Sequence, residues 1–220
     1  MIHEHHITVR RTARYCTLGD EAASPSQVWF VCHGYGQLAA RFIRRFAPLD
    51  DGTRFILAPE GLSRFYLDGA GGRIGASWMT REDRLGEIDN YVGFLDALYD
   101  DLFRRLARER VTVHVLGFSQ GAATAARWIT RGSAVADHLI VWAGHLPPEV
   151  DLHASESLFA RTRLTLVAGD HDPQLPPEDI EREQSRLAAA GTPHHLIRFA
   201  GGHEIHGPTL LALGGGQVLF

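Results

Sequence analysis

The residues best placed to do chemistry lie in the run Gly117-Phe118-Ser119-Gln120-Gly121. The apolar stretch Val111 to Leu116 leads into it, and an alanine-rich stretch, Ala122 to Ile129, leaves it. A strand, a sharp turn and a helix in that order hold a serine on strained backbone with its hydroxyl projecting, and the flanking glycines leave room for the neighbouring strand and helix. The same turn aims helix-start N–H groups at the point where an oxyanion would form. The bland reading is a serine capping a helix from a glycine turn. Serine is a weak nucleophile at neutral pH, so the chemistry needs a histidine to take its proton and a carboxylate to orient that histidine.

Both partners have candidates downstream. Gly169-Asp170-His171-Asp172-Pro173 follows the strand-like run Leu164 to Ala168. Asp172 is the expected orienting carboxylate, because it lies further out on the loop and Pro173 keeps it extended, whereas Asp170 suits a turn that bonds its own backbone. Among 13 histidines, His203 stands on the turn Gly201-Gly202-His203 after the last strand-like run, and His206 is the second choice. His194 and His195 begin that strand, at the wrong end for catalysis. Oxyanion donors are expected from the backbone N–H of Gln120 and, in the loop His33-Gly34-Tyr35-Gly36-Gln37, from that of Tyr35, where two glycines allow close backbone approach. His33 reads as a residue that fixes this loop.

The elements that must carry these groups alternate. Short apolar, β-branched or aromatic runs at Val28 to Cys32, Phe55 to Ala58, Val111 to Leu116, Leu139 to Ala143, Leu164 to Ala168 and His195 to Phe199 read as buried strands. Helix-period stretches lie between them at Leu38 to Phe46, Ile88 to Arg108, Gln120 to Arg131 and Glu178 to Ala190. Gly132 and Gly191 sit where left-handed residues end helices. Strand and helix in alternation give an α/β fold, a mostly parallel sheet with helices on both faces, whose reactive groups belong at the carboxyl ends of the strands. Ile7 to Arg10 and Arg14 to Leu18 are expected to form an N-terminal antiparallel hairpin at one sheet edge. No linker, repeat or low-complexity tract divides the chain, so one domain over 1–220 is expected.

Composition closes off other chemistries. The net charge of −4 gives no general pull toward nucleic acid or an anionic membrane, and the absence of lysine removes Schiff-base and P-loop mechanisms. Cys16 and Cys32 lie in apolar runs and read as buried thiols. No segment has the length of an apolar membrane span, and the polar N-terminus lacks a secretory pattern, so a cytoplasmic location is expected. His3-Glu4-His5-His6 reads as exposed, and His203-Glu204-Ile205-His206 is one residue short of the zinc-binding His-Glu-x-x-His helix, so no metal is expected. Arg104, Arg105, Arg108 and Arg110 suit a solvated helix end.

His33-Gly34-Tyr35-Gly36, Ala58-Pro59, Ser77-Trp78, Gly117-Phe118-Ser119-Gln120-Gly121, Asp172-Pro173 and Gly202-His203, in that order, resemble the phospholipase/carboxylesterase family of α/β-hydrolases, which includes the acyl-protein thioesterases. The resemblance runs through most of the chain. It implies an α/β-hydrolase fold with no large cap, and a serine carboxylesterase with Ser119, Asp172 and His203 as its triad, Tyr35 and Gln120 as oxyanion donors and Trp78 in the substrate site. It further implies a small-molecule ester or thioester substrate, no metal or organic cofactor, and no nucleic-acid partner or membrane insertion, and it leaves a homodimer open. Thioesterase and lysophospholipase activities belong to the same family, and a ligand-binding protein on a hydrolase scaffold that has lost catalysis is the alternative from another class. The chain departs from the family at Gln37, where Asp or Asn is frequent, and through Glu60 to Arg84, whose apolar Phe65, Tyr66, Leu67, Trp78 and Met79 fit an acyl site or a core equally well.

Overall fold

The computed structural model describes residues 1–215. Its centre is a seven-stranded sheet built from β1 (Tyr15–Leu18), β2 (Gln27–Cys32), β3 (Arg54–Pro59), β6 (Thr112–Phe118), β7 (His138–Trp142), β8 (Arg163–Gly169) and β9 (His195–Phe199). The spatial order is β1-β3-β2-β6-β7-β8-β9, and every pairing except β1 with β3 is parallel. The remaining strands, β4 (Ser63–Tyr66) and β5 (Ile74–Ser77), form a separate antiparallel hairpin.

The central strands are apolar along their length because both faces are covered. One face carries α2 (Arg84–Phe103) and α3 (Gln120–Arg131), with Leu187 of α5 (Pro177–Ala189). In α2 the buried Ile88, Tyr91, Leu95, Leu98 and Leu102 recur at three and four residues, which makes a single apolar stripe. The other face is covered by α1 (Ala39–Phe42), by 3-10 turns over Ile43–Leu49 and by α6 (Gly207–Gly214). A short α4 (Glu156–Phe159) precedes β8. No helix among the described residues is long and apolar enough to cross a membrane.

Three details depart from the sequence reading. The N-terminal antiparallel pair exists, but Tyr15–Leu18 pairs with β3, in the register Tyr15↔Pro59 to Leu18↔Ile56, while Ile7 to Arg10 forms no strand. A ready-made sheet edge offers Tyr15–Leu18 more hydrogen bonds and apolar contact than an isolated two-stranded ribbon could. The helical stretch from Leu38 is only one turn of α-helix before it tightens into 3-10 geometry that contains Pro48, which lacks the N–H a longer helix would use. Gly132 is extended rather than left-handed, and it is glycine for space: a Cβ would stand 2.6 Å from Asp96 Oδ1 and 2.7 Å from the Trp128 carbonyl oxygen. Gly191 does take the left-handed conformation, at φ +64.

Strand order locates the site. From β2 the chain moves outward to β3, then returns to place β6 on the opposite side of β2. The loops leaving β2 and β6 therefore diverge, and a crevice opens between them at the carboxyl ends of the strands. The loop after β2 is His33 to Gln37, and the residue after β6 is Ser119.

Candidate active site

Ser119 adopts φ +56 and ψ −118, a region that non-glycine residues rarely enter and that costs on the order of 1–3 kcal/mol. The surroundings hold it there. Its N–H donates to the Trp142 carbonyl at 2.9 Å, and its own carbonyl accepts from Ala122 N–H at 2.9 Å. The glycines at either side are required by space: a Cβ on Gly117 would lie 2.0 Å from the Gly121 carbonyl oxygen, and one on Gly121 would lie 2.1 Å from that of Cys32. The turn is thus wedged between its own helix and strand β2.

Ser119 and His203 line one cavity of about 240 Å³ together with Gln120, Ala123, Ala143, Gly144, His145, Gln174 and Leu175. His203 Nδ1 stands 2.7 Å from Asp172 Oδ2. A carboxylate can only accept, so Nδ1 carries the proton and Nε2 of the neutral ring keeps a lone pair. Asp172 is 5% exposed, and its other oxygen accepts from Gln174 N–H at 2.8 Å. Asp170 goes elsewhere: its carboxylate accepts from Arg198 at 2.7 Å on the surface. His206 accepts no such role either, since its Nδ1 is bonded to Thr209 Oγ1 at 2.9 Å and its ring stacks on Phe199. Of the paired candidates, Asp172 and His203 are the two that the fold brings together.

The loop after β2 lies against Ser119. A Cβ on Gly34 would be 3.3 Å from Ser119 Cβ and 3.1 Å from the Phe118 ring. Gln37 Oε1 accepts from Gly34 N–H at 2.9 Å, so the amide side chain ties the loop across its own turn. His33 is fully buried; its Nδ1 donates to the Gly34 carbonyl at 2.8 Å and its Nε2 accepts from Gly61 N–H at 2.9 Å. Burial pushes its pKa down to about 4, against the pull of the Gly34 carbonyl, and a ring that must accept at Nε2 stays neutral. His33 therefore fixes the loop, as its position in the sequence suggested. The Tyr35 side chain is 59% exposed and leans on Phe65, while Gly36 N–H donates to the Ala76 carbonyl. Hairpin β4–β5 buttresses this loop so tightly that a Cβ on Gly75 would lie 2.5 Å from the Gly36 carbonyl oxygen.

Trp78 requires a correction. The resemblance put it in the substrate site, yet its ring is 1% exposed within the core between the sheet and α2, and it is absent from the cavity wall. An indole that large is held where it excludes most water, with its one polar atom satisfied by the His33 carbonyl at 2.8 Å.

Several residues that line or support this cavity region escaped the sequence reading. Glu60 is a buried hub: its carboxylate accepts from Arg14 at 2.7 Å, from Arg64 at 2.8 Å and from Ala39 N–H at 3.1 Å. Burial alone would raise its pKa, but the two guanidinium groups and the N–H outweigh it and hold the carboxyl below its ordinary range. Arg64, four residues on, is its one local partner; Arg14 and the Ala39 N–H, which complete the burial, come from distant parts of the chain that the sequence does not connect to Glu60. His145, Gln174 and Leu175 on the cavity wall were findable, since they follow the carboxyl ends of β7 and β8. Cys32 is buried as expected, with its thiol pKa pushed up by burial, and Cys16 is half-buried. No group of three or more His, Cys, Asp or Glu among the described residues could hold a metal ion.

No family model and no curated protein matches this chain. Solved structures do. An acyl-protein thioesterase 2 of Zea mays superposes with a TM-score of 0.71 at 18% identity, over 93% of this chain and 97% of that one. A carboxylesterase from Mesorhizobium loti gives 0.71 at 18% identity, over 92% and 93%. The esterase PE8 gives 0.66 at 22% identity, over 93% and 97%. The chain has the α/β-hydrolase fold of these proteins, whose descriptions match the family that its motifs resemble.

Proposed function

We propose that this chain is a serine hydrolase that cleaves carboxylic esters or thioesters through an acyl-enzyme intermediate. The observation that carries the reading is the strained Ser119 sharing one small cavity with His203, whose other ring nitrogen is bonded to a buried Asp172. Structural neighbours described as esterases and thioesterases support it.

In the proposed reaction Ser119 Oγ attacks the acyl carbon while His203 Nε2 takes the hydroxyl proton. Asp172 keeps Nδ1 protonated and stabilises the imidazolium that forms. The carbonyl oxygen becomes an oxyanion, met by the N–H groups of Gln120 and Tyr35. The tetrahedral intermediate collapses with loss of the alcohol or thiol, which leaves with the proton from His203. Water, deprotonated by the same ring, then attacks the acyl-enzyme and releases the carboxylic acid and free Ser119. The small cavity, with His145 and Gln174 on its wall, suits a short acyl group better than a long one.

A fluorophosphonate probe tests the reading. Intact-mass and peptide mapping are expected to find one adduct, on Ser119, with loss of hydrolysis of p-nitrophenyl esters of graded chain length. An unlabelled Ser119 in folded protein would end the proposal and favour a ligand-binding scaffold. Matched oxygen esters and thioesters in the same assay decide between the two leaving groups.

A further inference from the structure

Beyond its backbone N–H, Gln120 has a side chain that the catalytic scheme leaves unused. Its amide spans from the serine turn to the segment after β5. Oε1 accepts from Trp78 N–H at 3.1 Å, and Nε2 donates to the Met79 carbonyl at 2.8 Å and to Ser77 Oγ at 3.1 Å. Both ends of the amide are engaged, so its orientation is fixed. Trp78 then reaches the other loop, where its Nε1–H donates to the His33 carbonyl at 2.8 Å and its ring packs on the His33 imidazole at 4.9 Å. From there the chain runs one residue to Gly34, whose N–H is tied to Gln37, and then to Tyr35. Two hydrogen bonds and the covalent chain between them thus connect the two residues whose N–H groups would form the oxyanion hole.

The sheet cannot set that distance by itself. The pairing of β2 with β6 ends at Cys32↔Gly117; beyond it β2 leaves the ladder, while β6 stays tied only to β7, at Phe118↔Trp142 and through Ser119 N–H to the Trp142 carbonyl, so no backbone pairing joins the two loops. Past that point, the Gln120–Trp78–His33 path is a cross-brace between the diverging loops, and Trp78, Ser77 and His33 within it are buried. We propose that the Gln120 amide and the Trp78 indole are positioning residues that fix the spacing of the oxyanion hole, so that their contribution appears in transition-state binding rather than in substrate binding. The proposal rests on the serine-hydrolase reading given above. A displaced oxyanion donor forfeits much of a stabilisation that amounts to roughly 10²–10³ in kcat, and a shift of about 1 Å can cost about 10²-fold.

Two substitutions test the brace, the first of them near-isosteric and the second smaller than the residue it replaces. Gln120→Met keeps the backbone N–H and loses all three side-chain hydrogen bonds; Trp78→Phe keeps an aromatic ring in the core and loses the Nε1–H. Each is expected to lower kcat by roughly 10–100-fold with KM within about threefold. Affinity for a trifluoromethyl ketone, which forms an anionic tetrahedral adduct on the serine, should fall by the same factor as kcat/KM. The double variant should lose less than the product of the two single losses, because either change already cuts the path. Gln120→Glu, which keeps the acceptor for Trp78 N–H but sets a carboxylate against the Met79 carbonyl, should behave like Gln120→Met. If Trp78→Phe does not fold, Gln120→Met decides alone, since that half-buried side chain leaves the core intact. Wild-type kcat in Gln120→Met, or a loss confined to KM, would overturn the brace while fluorophosphonate labelling of Ser119 in the parent protein left the hydrolase reading standing. Failure of that labelling in the parent would instead remove the reading itself.

Discussion

Two buried histidines at the two ends of the sheet, His33 and His114, are treated in opposite ways. At the carboxyl end, the His33 ring has both nitrogens satisfied by backbone groups and holds a loop against Ser119. Toward the amino end, Trp29, His114, His138 and Arg163 lie side by side on adjacent strands. His138 is served by Arg163 and by Thr165 Oγ1. His114 stacks on Trp29 at 4.1 Å, nearly parallel, and neither of its ring nitrogens has a hydrogen-bond partner. Near Ser119 the polar atoms are spent on geometry; at the far end an imidazole serves as an aromatic filler at a cost in desolvation. The difference teaches that precision has been concentrated where loops leave the sheet, and that the ladder alone suffices elsewhere.

The sharpest way to break the comparison is at the serine. Ser119→Ala should reduce turnover by roughly 10⁴–10⁶ while leaving thermal unfolding almost unchanged or slightly raised, because the strained residue loses its function but not its packing. Steady-state kinetics and calorimetry on one preparation check both halves; a large drop in melting temperature would mean that the hydroxyl is structural.

Acid should act on both ends at once. Burial pushes the pKa of His33 to about 4, that of His114 to about 3 and that of His138 to about 2, from an ordinary 6.5, with the Arg163 charge adding to burial for the last two. Asp137 works against the shift at His114, and Arg54 with it; His114 and His195 add to it at His138. Above pH 6.5 all three rings are neutral, folded or unfolded, and contribute no pH dependence. As the pH falls below that, the unfolded chain takes up protons that the folded one refuses, so stability declines by about 1.4 kcal/mol per pH unit for each ring until its folded pKa is reached. At pH 5 the sum is about 6 kcal/mol, a large part of the roughly 5–15 kcal/mol that holds an ordinary domain. Urea midpoints should hold from pH 8 to about pH 7 and fall from about pH 6.5 to pH 5, and a flat profile over the lower range would show that these rings are not neutral and buried together.

A smaller effect is expected at Gly121. Gly121→Ala would drive its Cβ into the backbone carbonyls of Cys32 and His33, at 2.1 and 2.7 Å, with no flexible side chain to yield. It should cost roughly 1–3 kcal/mol or more and reduce activity as well, because the serine turn must shift. Smallest, and opposite in sign, is His114→Phe. It keeps a ring on Trp29 and removes two unsatisfied nitrogens, so a gain of about 1–2 kcal/mol and a shallower loss of stability in acid are expected. Destabilisation with an unchanged acid slope would mean that the His114 nitrogens have partners.

Much of the site was legible in the sequence because its parts are local. A glycine two residues either side of Ser119, an extended Asp-Pro, and a histidine on a glycine turn each reflect a backbone need that neighbours in the chain satisfy. Strands β2, β6, β7 and β8 were legible for the same kind of reason: a strand covered on both faces writes a continuous apolar run. The hairpin β4–β5 was not, since each strand is four residues long and Gly69, Gly71, Gly72 and Gly75 crowd its turn and second strand, leaving too short a pattern to read. Trp78 was assigned by motif to the substrate, whereas its burial depends on α2 and His33, which are distant in the chain.

By itself, then, the order of residues determined the alternation of elements, the strained turn at Ser119 and the chain order of that serine, a carboxylate on an extended Asp-Pro and an imidazole on a glycine turn, because these rest on interactions within a few residues. Only the tertiary structure decided that Glu60 meets Arg14, Ala39 and Arg64 and that Gln120 and Trp78 hydrogen-bond between two loops, and only it put Asp172, the carboxylate the sequence favoured, beside His203. Those outcomes depend on distances between parts of the chain separated by tens of residues, which are fixed by the strand order of the sheet and not by any local preference.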